Sequence, residues 1–190
     1  MGNGKSILTD EYQIRDLAHE TGFTRNQVNK LSQRFKALDK EGRGYLIKED
    51  LLCLPDLKVN PLGERIVEAF FSNTKSPEQM VFSEFLKVMA CFRPVRRTKS
   101  NILNSRTEKL KFAFAMYDLN KNGYITREEC RIVLDIMTGS ILPPNQLDQI
   151  TDRIILEADI EQDGQISFVE YCKAMEKIDV EHKMSIRFDN

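Results

Sequence analysis

Apolar side chains return every three or four residues along most of this chain, the spacing that builds one face of an α-helix. From Tyr12 onward Ile14, Leu17 and Ala18 form one such set, ended by Gly22. Thr24 is placed to cap a second helix, in which Val28, Leu31, Phe35 and Leu38 share a face. After a break at Pro61 and Gly63, Ile66, Val67, Ala69, Phe70 and Phe71 make a third set, and Phe85, Leu86, Val88, Met89 and Phe92 a fourth. The stretch Arg93 to Asn101 interrupts the pattern. Ser105 with Glu108 three residues on has the spacing of a capping box, and Leu110, Phe114 and Tyr117 follow it. Ile132, Val133, Ile136 and Met137 come next and stop at Thr138-Gly139. Pro143-Pro144 opens a helix bearing Leu147, Ile150, Ile154, Ile155 and Ala158. At the end Met184, Ile186 and Phe188 alternate with polar residues, which predicts an extended segment laid along an apolar surface. The expected fold is all-α, four helix-loop-helix units arranged as two pairs.

The polar stretches between the helices carry a chemistry of their own. Asp118 to Glu129 places oxygens at positions one, three, five, seven, nine and twelve of a loop: Asp118, Asn120, Asn122, the carbonyl of Tyr124, Thr126 through a water, and a bidentate Glu129. A Ca²⁺ ion takes six to eight oxygens at about 2.3–2.6 Å, and a twelve-residue loop supplies them at those positions. Gly123 at position six permits the sharp bend. Ile125 at position eight is set to pair with the same position of a partner loop in a short antiparallel ladder. The partner runs from Asp159 to Glu170, with Asp159, Glu161, Asp163, the Gln165 carbonyl, Ser167 and Glu170 as ligands and Gly164 and Ile166 in register. Glu161 departs from the usual Asp or Asn at position three. Two matches starting 41 residues apart, each flanked by helices, mark a repeated EF-hand unit. The later loop offers four ligating carboxylates against two, so it is expected to bind more tightly, within the ~10⁻⁸–10⁻⁵ M span of such loops.

Two earlier stretches keep the frame and lose the ligands. Asp39 to Asp50 has Gly44 at position six and Leu46 at position eight, but Arg43 puts a cation where the third side-chain oxygen belongs, and Asp50 is a methylene shorter than Glu. Asn73 to Glu84, with Met80 at position eight, has Lys75 at three, Pro77 at five and Glu78 in place of Gly. Neither is expected to coordinate Ca²⁺; the first is expected to keep its fold through packing. The organisation that follows is a first lobe over residues 1–92 with two degenerate units, a basic linker over 93–104, a second lobe over 105–178 holding two Ca²⁺ ions, and a tail over 179–190.

With 190 residues and 41% hydrophobic content the chain can bury a substantial core. A net charge of −1 argues against non-specific nucleic-acid binding. No run of about 18 apolar residues suggests a bilayer span, and the N-terminus lacks the apolar core of a secretory signal. The chain is expected in the cytoplasm. Cys53, Cys91, Cys130 and Cys172 are dispersed in apolar helical settings and read as reduced core thiols. Met1-Gly2-Asn3-Gly4-Lys5-Ser6 fits the signal for N-myristoylation of Gly2, which would place the protein peripherally at membranes, the plasma membrane foremost, with nuclear shuttling compatible. Arg93, Arg96, Arg97 and Lys99 fit either contact with anionic lipid headgroups or a solvated hinge. His182 reads as a surface residue. No nucleophile, base or open metal position is legible, so no enzymatic activity is expected. A metal-dependent opening of the helix pairs would expose an apolar groove for an amphipathic partner helix, with Leu86, Met89, Phe92, Val133 and Met137 as candidate lining.

Over essentially its whole length the chain resembles the calcineurin B homologous proteins, N-myristoylated EF-hand proteins related to calcineurin B. The resemblance rests on Met1-Gly2, Thr21-Gly22-Phe23, Asn60-Pro61-Leu62-Gly63, Ala90-Cys91-Phe92-Arg93-Pro94, Leu103-Asn104-Ser105-Arg106 and the tail Asp179-Val180-Glu181-His182-Lys183-Met184-Ser185-Ile186-Arg187-Phe188. It implies two degenerate and two Ca²⁺-binding EF-hands, and an obligatory partnership with plasma-membrane sodium/proton exchangers through an amphipathic juxtamembrane helix. It also implies, as an alternative, a regulatory or inhibitory role toward the catalytic subunit of calcineurin. A plain calcium buffer is a third reading. The linker departs from the better-known members in being shorter and basic.

Overall fold

A computed structural model describes residues 11–95, 101–186 and 188; Gly2, Arg96, Arg97 and Lys99 lie outside them. In chain order the described elements are α1 (Glu11–Thr21), α2 (Arg25–Leu38), β1 (Tyr45–Leu46), α3 (Lys48–Leu52), α4 (Pro55–Lys58), α5 (Gly63–Phe71), β2 (Met80–Val81), α6 (Phe82–Cys91), a 3₁₀ turn (Ile102–Asn104), α7 (Arg106–Ala115), β3 (Tyr124–Thr126), α8 (Arg127–Met137), α9 (Pro144–Ala158), β4 (Gln165–Ser167), α10 (Phe168–Ala174) and α11 (Val180–Lys183). The fold is all-α with two small ladders. No helix among the described residues is long and apolar enough to cross a membrane.

Local chemistry sets the boundaries. Thr24 caps α2 in a reciprocal box with Gln27: the Gln27 N–H donates to Thr24 Oγ1 at 3.2 Å, and the Thr24 N–H to Gln27 Oε1 at 3.0 Å. The box expected at Ser105 is only half made. Glu108 N–H donates to the Ser105 hydroxyl, while the Glu108 carboxylate accepts from Lys111 instead. Gly63 does not end a helix but starts α5, where a Cβ would lie 2.0 Å from the Leu57 carbonyl oxygen. The turn of α4 thus packs directly on the α5 backbone.

The two ladders join the loops in pairs. Leu46 faces Met80 in β1–β2, and Ile125 faces Ile166 in β3–β4, in both cases position eight against position eight. This register confirms the alignment of the second degenerate loop on Asn73 to Glu84. Each ladder lies on its own apolar cluster. The first gathers Val28, Leu31, Phe35, Leu46, Val67, Phe71, Met80, Phe82, Phe85 and Leu86, with Phe82 and Phe85 edge-on to Phe35 at 5.4 and 5.6 Å. The second gathers Leu110, Phe114, Ile125, Cys130, Ala158, Ile166 and Tyr171. Each fully buried aliphatic or aromatic side chain contributes about 1.5–3 kcal/mol. Of the cysteines Cys91 and Cys130 are buried, but Cys53 is exposed because α3 ends early and its last turn faces outward; all four are free thiols.

The joint between the halves is polar at its centre. Lys109 has no solvent exposure, yet its ammonium donates to the carbonyls of Cys91 at 2.6 Å, Arg93 at 3.2 Å and Met184 at 2.8 Å. It therefore ties α7 to the end of α6, the start of the linker and the tail. Burial pushes its pKa down from the ordinary lysine value. Arg93, one of the residues considered for lipid headgroups, is turned inward. Its guanidinium donates to the Thr21 carbonyl at 2.9 Å and lies 5.3 Å from the Phe23 ring centre. The tail is a helical turn before it is extended: only after α11 do Met184 and Phe188 pack inward, Phe188 edge-on to Phe23 at 5.0 Å, while Ile186 stays exposed.

Replacing Lys109 with Met keeps the stem and removes the ammonium, stranding three carbonyls. Denaturant unfolding is expected to show a loss of about 2–3 kcal/mol, and unchanged stability would contradict the clamp.

Candidate metal centre and adjoining groove

The loops from Asp118 and Asp159 are built on one hydrogen-bonded frame. Asp118 accepts from the N–H of Asn122 at 3.1 Å and Gly123 at 2.9 Å, and Asp159 from Asp163 at 3.2 Å and Gly164 at 2.8 Å. At the far end Glu129 Oε1 accepts from Leu119 and Asn120, while its Oε2 accepts from the Thr126 N–H and hydroxyl. Glu170 does the same with Ile160, Glu161 and Ser167. Thr126 and Ser167 also cap α8 and α10. The last acid of each loop is thus both the third residue of the exit helix and a strap back to the loop's beginning. Position four carries positive φ (Lys121 60°, Gln162 58°), as does the glycine at position six (Gly123 88°, Gly164 84°).

These carboxylates stay ionised. Burial raises the pKa of Glu129, but the donors from Thr126, Asn120 and Leu119 outweigh it and hold it below the usual carboxylate range. For Glu170 the backbone and hydroxyl donors of Ser167, with the Glu161 N–H, bring it to about 2. Asp118, Glu129 and Glu170 are buried, and none of them forms an ion pair with Lys or Arg among the described residues. A buried anion without a counter-charge is costly, and the donors around it are oxygens. The residues fit Ca²⁺, the hard cation they suggest. Among the described residues no three acidic, thiol or imidazole side chains close on one point. In the earlier loop this follows from the donor set: Asn120, Asn122 and the Tyr124 carbonyl supply oxygens that are not carboxylates.

Sequence reasoning missed the connection to the first half. Arg65 of α5 donates from Nε to the Met116 carbonyl at 3.0 Å and from Nη2 to the Ala115 carbonyl at 3.3 Å. It thereby satisfies the open carbonyls at the end of α7, immediately before Asp118. Lys121 at position four reaches Glu68, also on α5, at 3.9 Å. Helix periodicity marks α5 as apolar, and nothing in it signals that its polar face grips another unit.

An open cavity of about 590 Å³ lies in the first half, lined by apolar groups of Leu38, Leu51, Leu54, Phe70, Phe85 and Met89, with Arg34, Lys40 and Asp50 at its edge. Of the five lining residues expected, only Met89 is there. Leu86 and Val133 are fully buried, 0% exposed, and belong to the packed interior. Phe92 is half-buried and stacks edge-on with Phe70 and Phe112 at 5.9 and 4.9 Å. Met137 is 47% exposed on α8, away from the cavity.

Residues 107–176 match the family model of an EF-hand domain pair, a span that contains both loops. Over the whole chain the protein is similar to the calcineurin B regulatory chain of Naegleria gruberi, 39% identical over 187 residues, covering 98% of this chain and 99% of the relative. It is similarly related to calcineurin B of Candida glabrata, 36% identical over 92% of this chain and 94% of the relative, and of Kluyveromyces lactis, 35% over 98% of each.

Arg65→Ala removes the cap of α7 at the mouth of the earlier loop. It is expected to cost about 2 kcal/mol of stability and to weaken Ca²⁺ binding at the Asp118 loop without affecting the Asp159 loop. Calorimetry in which both sites shift equally, or neither does, would contradict this.

Proposed function

This chain belongs to the calcineurin B-like family of EF-hand calcium-binding proteins, and from that premise we propose that it is a regulatory subunit holding an amphipathic helix of a larger client protein. The observation that carries this reading is the open apolar cavity of the first half, rimmed by Arg34, Lys40 and Asp50. A helix with an apolar stripe fits such a trough, and charged residues on its flanks meet the rim. The metal sites are two, at Asp118–Glu129 and Asp159–Glu170, and they keep the second half folded around α7, to which Arg65 fastens the groove-bearing half. A myristoyl group on Gly2 holds the assembly at a membrane surface.

For the client we favour the juxtamembrane helix of a sodium/proton exchanger. The segments that carry the family resemblance support this, the tail above all, as do first and second loops that lack a Ca²⁺ ligand set. The second reading, a calcineurin catalytic subunit, is supported by the name that the relatives share over nearly their full length.

A titration of the full chain with synthetic helices of both classes separates them. The exchanger helix is expected to bind at least tenfold more tightly, and Met89→Glu to weaken it at least tenfold; preference for the phosphatase helix selects the second reading, and binding indifferent to Met89→Glu removes the groove from either. In calorimetry Glu170→Gln is expected to abolish the tighter Ca²⁺ site and Glu129→Gln the weaker, and the reverse order would contradict the ligand-charge argument.

A further inference from the structure

The loop from Asp39 to Asp50 has the same backbone as the two loops described above. Position four, Gly42, has φ 66°, and position six, Gly44, has φ 85°. Asp39 at position one accepts from the N–H of Arg43 at 2.9 Å and of Gly44 at 2.7 Å. Asp50 at position twelve accepts from the Ile47 N–H, position nine, at 2.9 Å. The frame of a cation loop is intact, although the sequence offers a cation at position five instead of a ligand.

That cation sits among the acids. Arg43 Nη2 lies 2.5 Å from Asp50 Oδ2, Nη1 lies 3.0 Å from Glu41 Oε2, and Nε lies 3.7 Å from Asp39 Oδ1. These are the three acidic positions of the loop, one, three and twelve. Arg43, Asp39 and Asp50 are mostly buried, while Glu41 closes the outer side. Arg43 Nε is the one buried side-chain nitrogen or oxygen among the described residues without a hydrogen bond. At that end the guanidinium acts on Asp39 by charge alone. A guanidinium is permanently charged, planar and more weakly hydrated than an ammonium, which suits it to bridging several carboxylates in a partly buried site.

We propose that Arg43 is an internal cation that fills the first loop and holds the first half in its loaded shape whatever the Ca²⁺ concentration. Because the side chain is tethered to the loop it fills, its local concentration does not fall when Ca²⁺ does. Asp50 and Leu51, on the exit helix of this loop, line the apolar cavity. If the client reading above holds, the groove is therefore competent at resting Ca²⁺, and only the second half responds to the metal. The shortened acid at position twelve belongs to the same arrangement: a guanidinium reaches toward Asp50, where a small ion at the loop centre would need the longer Glu.

Two variants of the full chain test this without any helix ligand. Arg43→Asn with Asp50→Glu removes the internal cation and restores an oxygen set of Asp39, Glu41, the new amide, the Tyr45 carbonyl and a longer carboxylate. Native mass spectrometry is expected to count one more bound Ca²⁺ than in the parent. Arg43→Met removes the cation and supplies no ligand; hydrogen exchange at the Tyr45–Leu46 ladder is expected to quicken at least tenfold with or without Ca²⁺, while the Ile125–Ile166 ladder keeps its protection and shows that the chain remains folded. In the parent, protection of the Tyr45–Leu46 ladder is expected to be the same in Ca²⁺ and in chelator. An unchanged ion count, ladder protection indifferent to Arg43→Met, or Ca²⁺-dependent protection in the parent each overturns the proposal. A groove that binds no helix would refute the client reading and leave these measurements standing.

Discussion

The structure depends on a carboxylate that closes each loop onto its own backbone. In three of the four loops an aspartate at position one accepts the N–H groups of positions five and six, and in all four an acid at position twelve accepts the N–H of position nine. These bonds bend the chain through a tight turn, fix the direction of the exit helix and deliver position eight to the ladder. They also gather buried negative charge at one point. A buried carboxylate is tolerated only when paired or neutralised, so a loop built this way needs a positive charge or has to give up some of its acids.

The four loops resolve that need differently. Asp118–Glu129 and Asp159–Glu170 keep acids and amide oxygens and leave the charge to a divalent ion. Asp39–Asp50 has Arg43 between its acids. In Asn73–Glu84 the first aspartate is absent, and Glu84 survives as a strap to the N–H groups of Lys75 and Val81, leaving little charge to balance. The paired halves are therefore alike in fold and unlike in their need for metal. Arg65, Lys121 and Lys109 bind them together, each donating to carbonyls or carboxylates of another segment.

What is legible in the sequence is what the loops fix locally. Position spacing within twelve residues identifies both metal loops, the register of both ladders through Ile125, Ile166, Leu46 and Met80, and the loss of ligands in the first half. The rest depends on contacts between segments far apart in the chain. Periodicity places Leu86 and Val133 on apolar faces but does not say whether the face meets the interior or a partner, and both turn inward. Lys109 reads as one more surface lysine of α7 until three carbonyls from two distant segments are seen around it. Arg93 groups by sequence with its basic neighbours, whereas the carbonyl end of α1 and the face of Phe23 claim it. The guanidinium of Arg43 reads as a disruption of the ligand pattern; in the folded loop it faces the very acids that would otherwise hold a metal.

The most direct measurement of this account is an NMR titration of the metal-free protein with Ca²⁺, followed at the amides of Gly44, Gly123 and Gly164. Each donates to the position-one aspartate of its loop, at 2.7, 2.9 and 2.8 Å, and so reports how that carboxylate is polarised by a cation. The account predicts large shifts for Gly123 and Gly164 and none for Gly44, whose resonance already lies where a loaded loop places it. A Gly44 amide that moves with Ca²⁺, or Gly123 and Gly164 amides that do not, would contradict it.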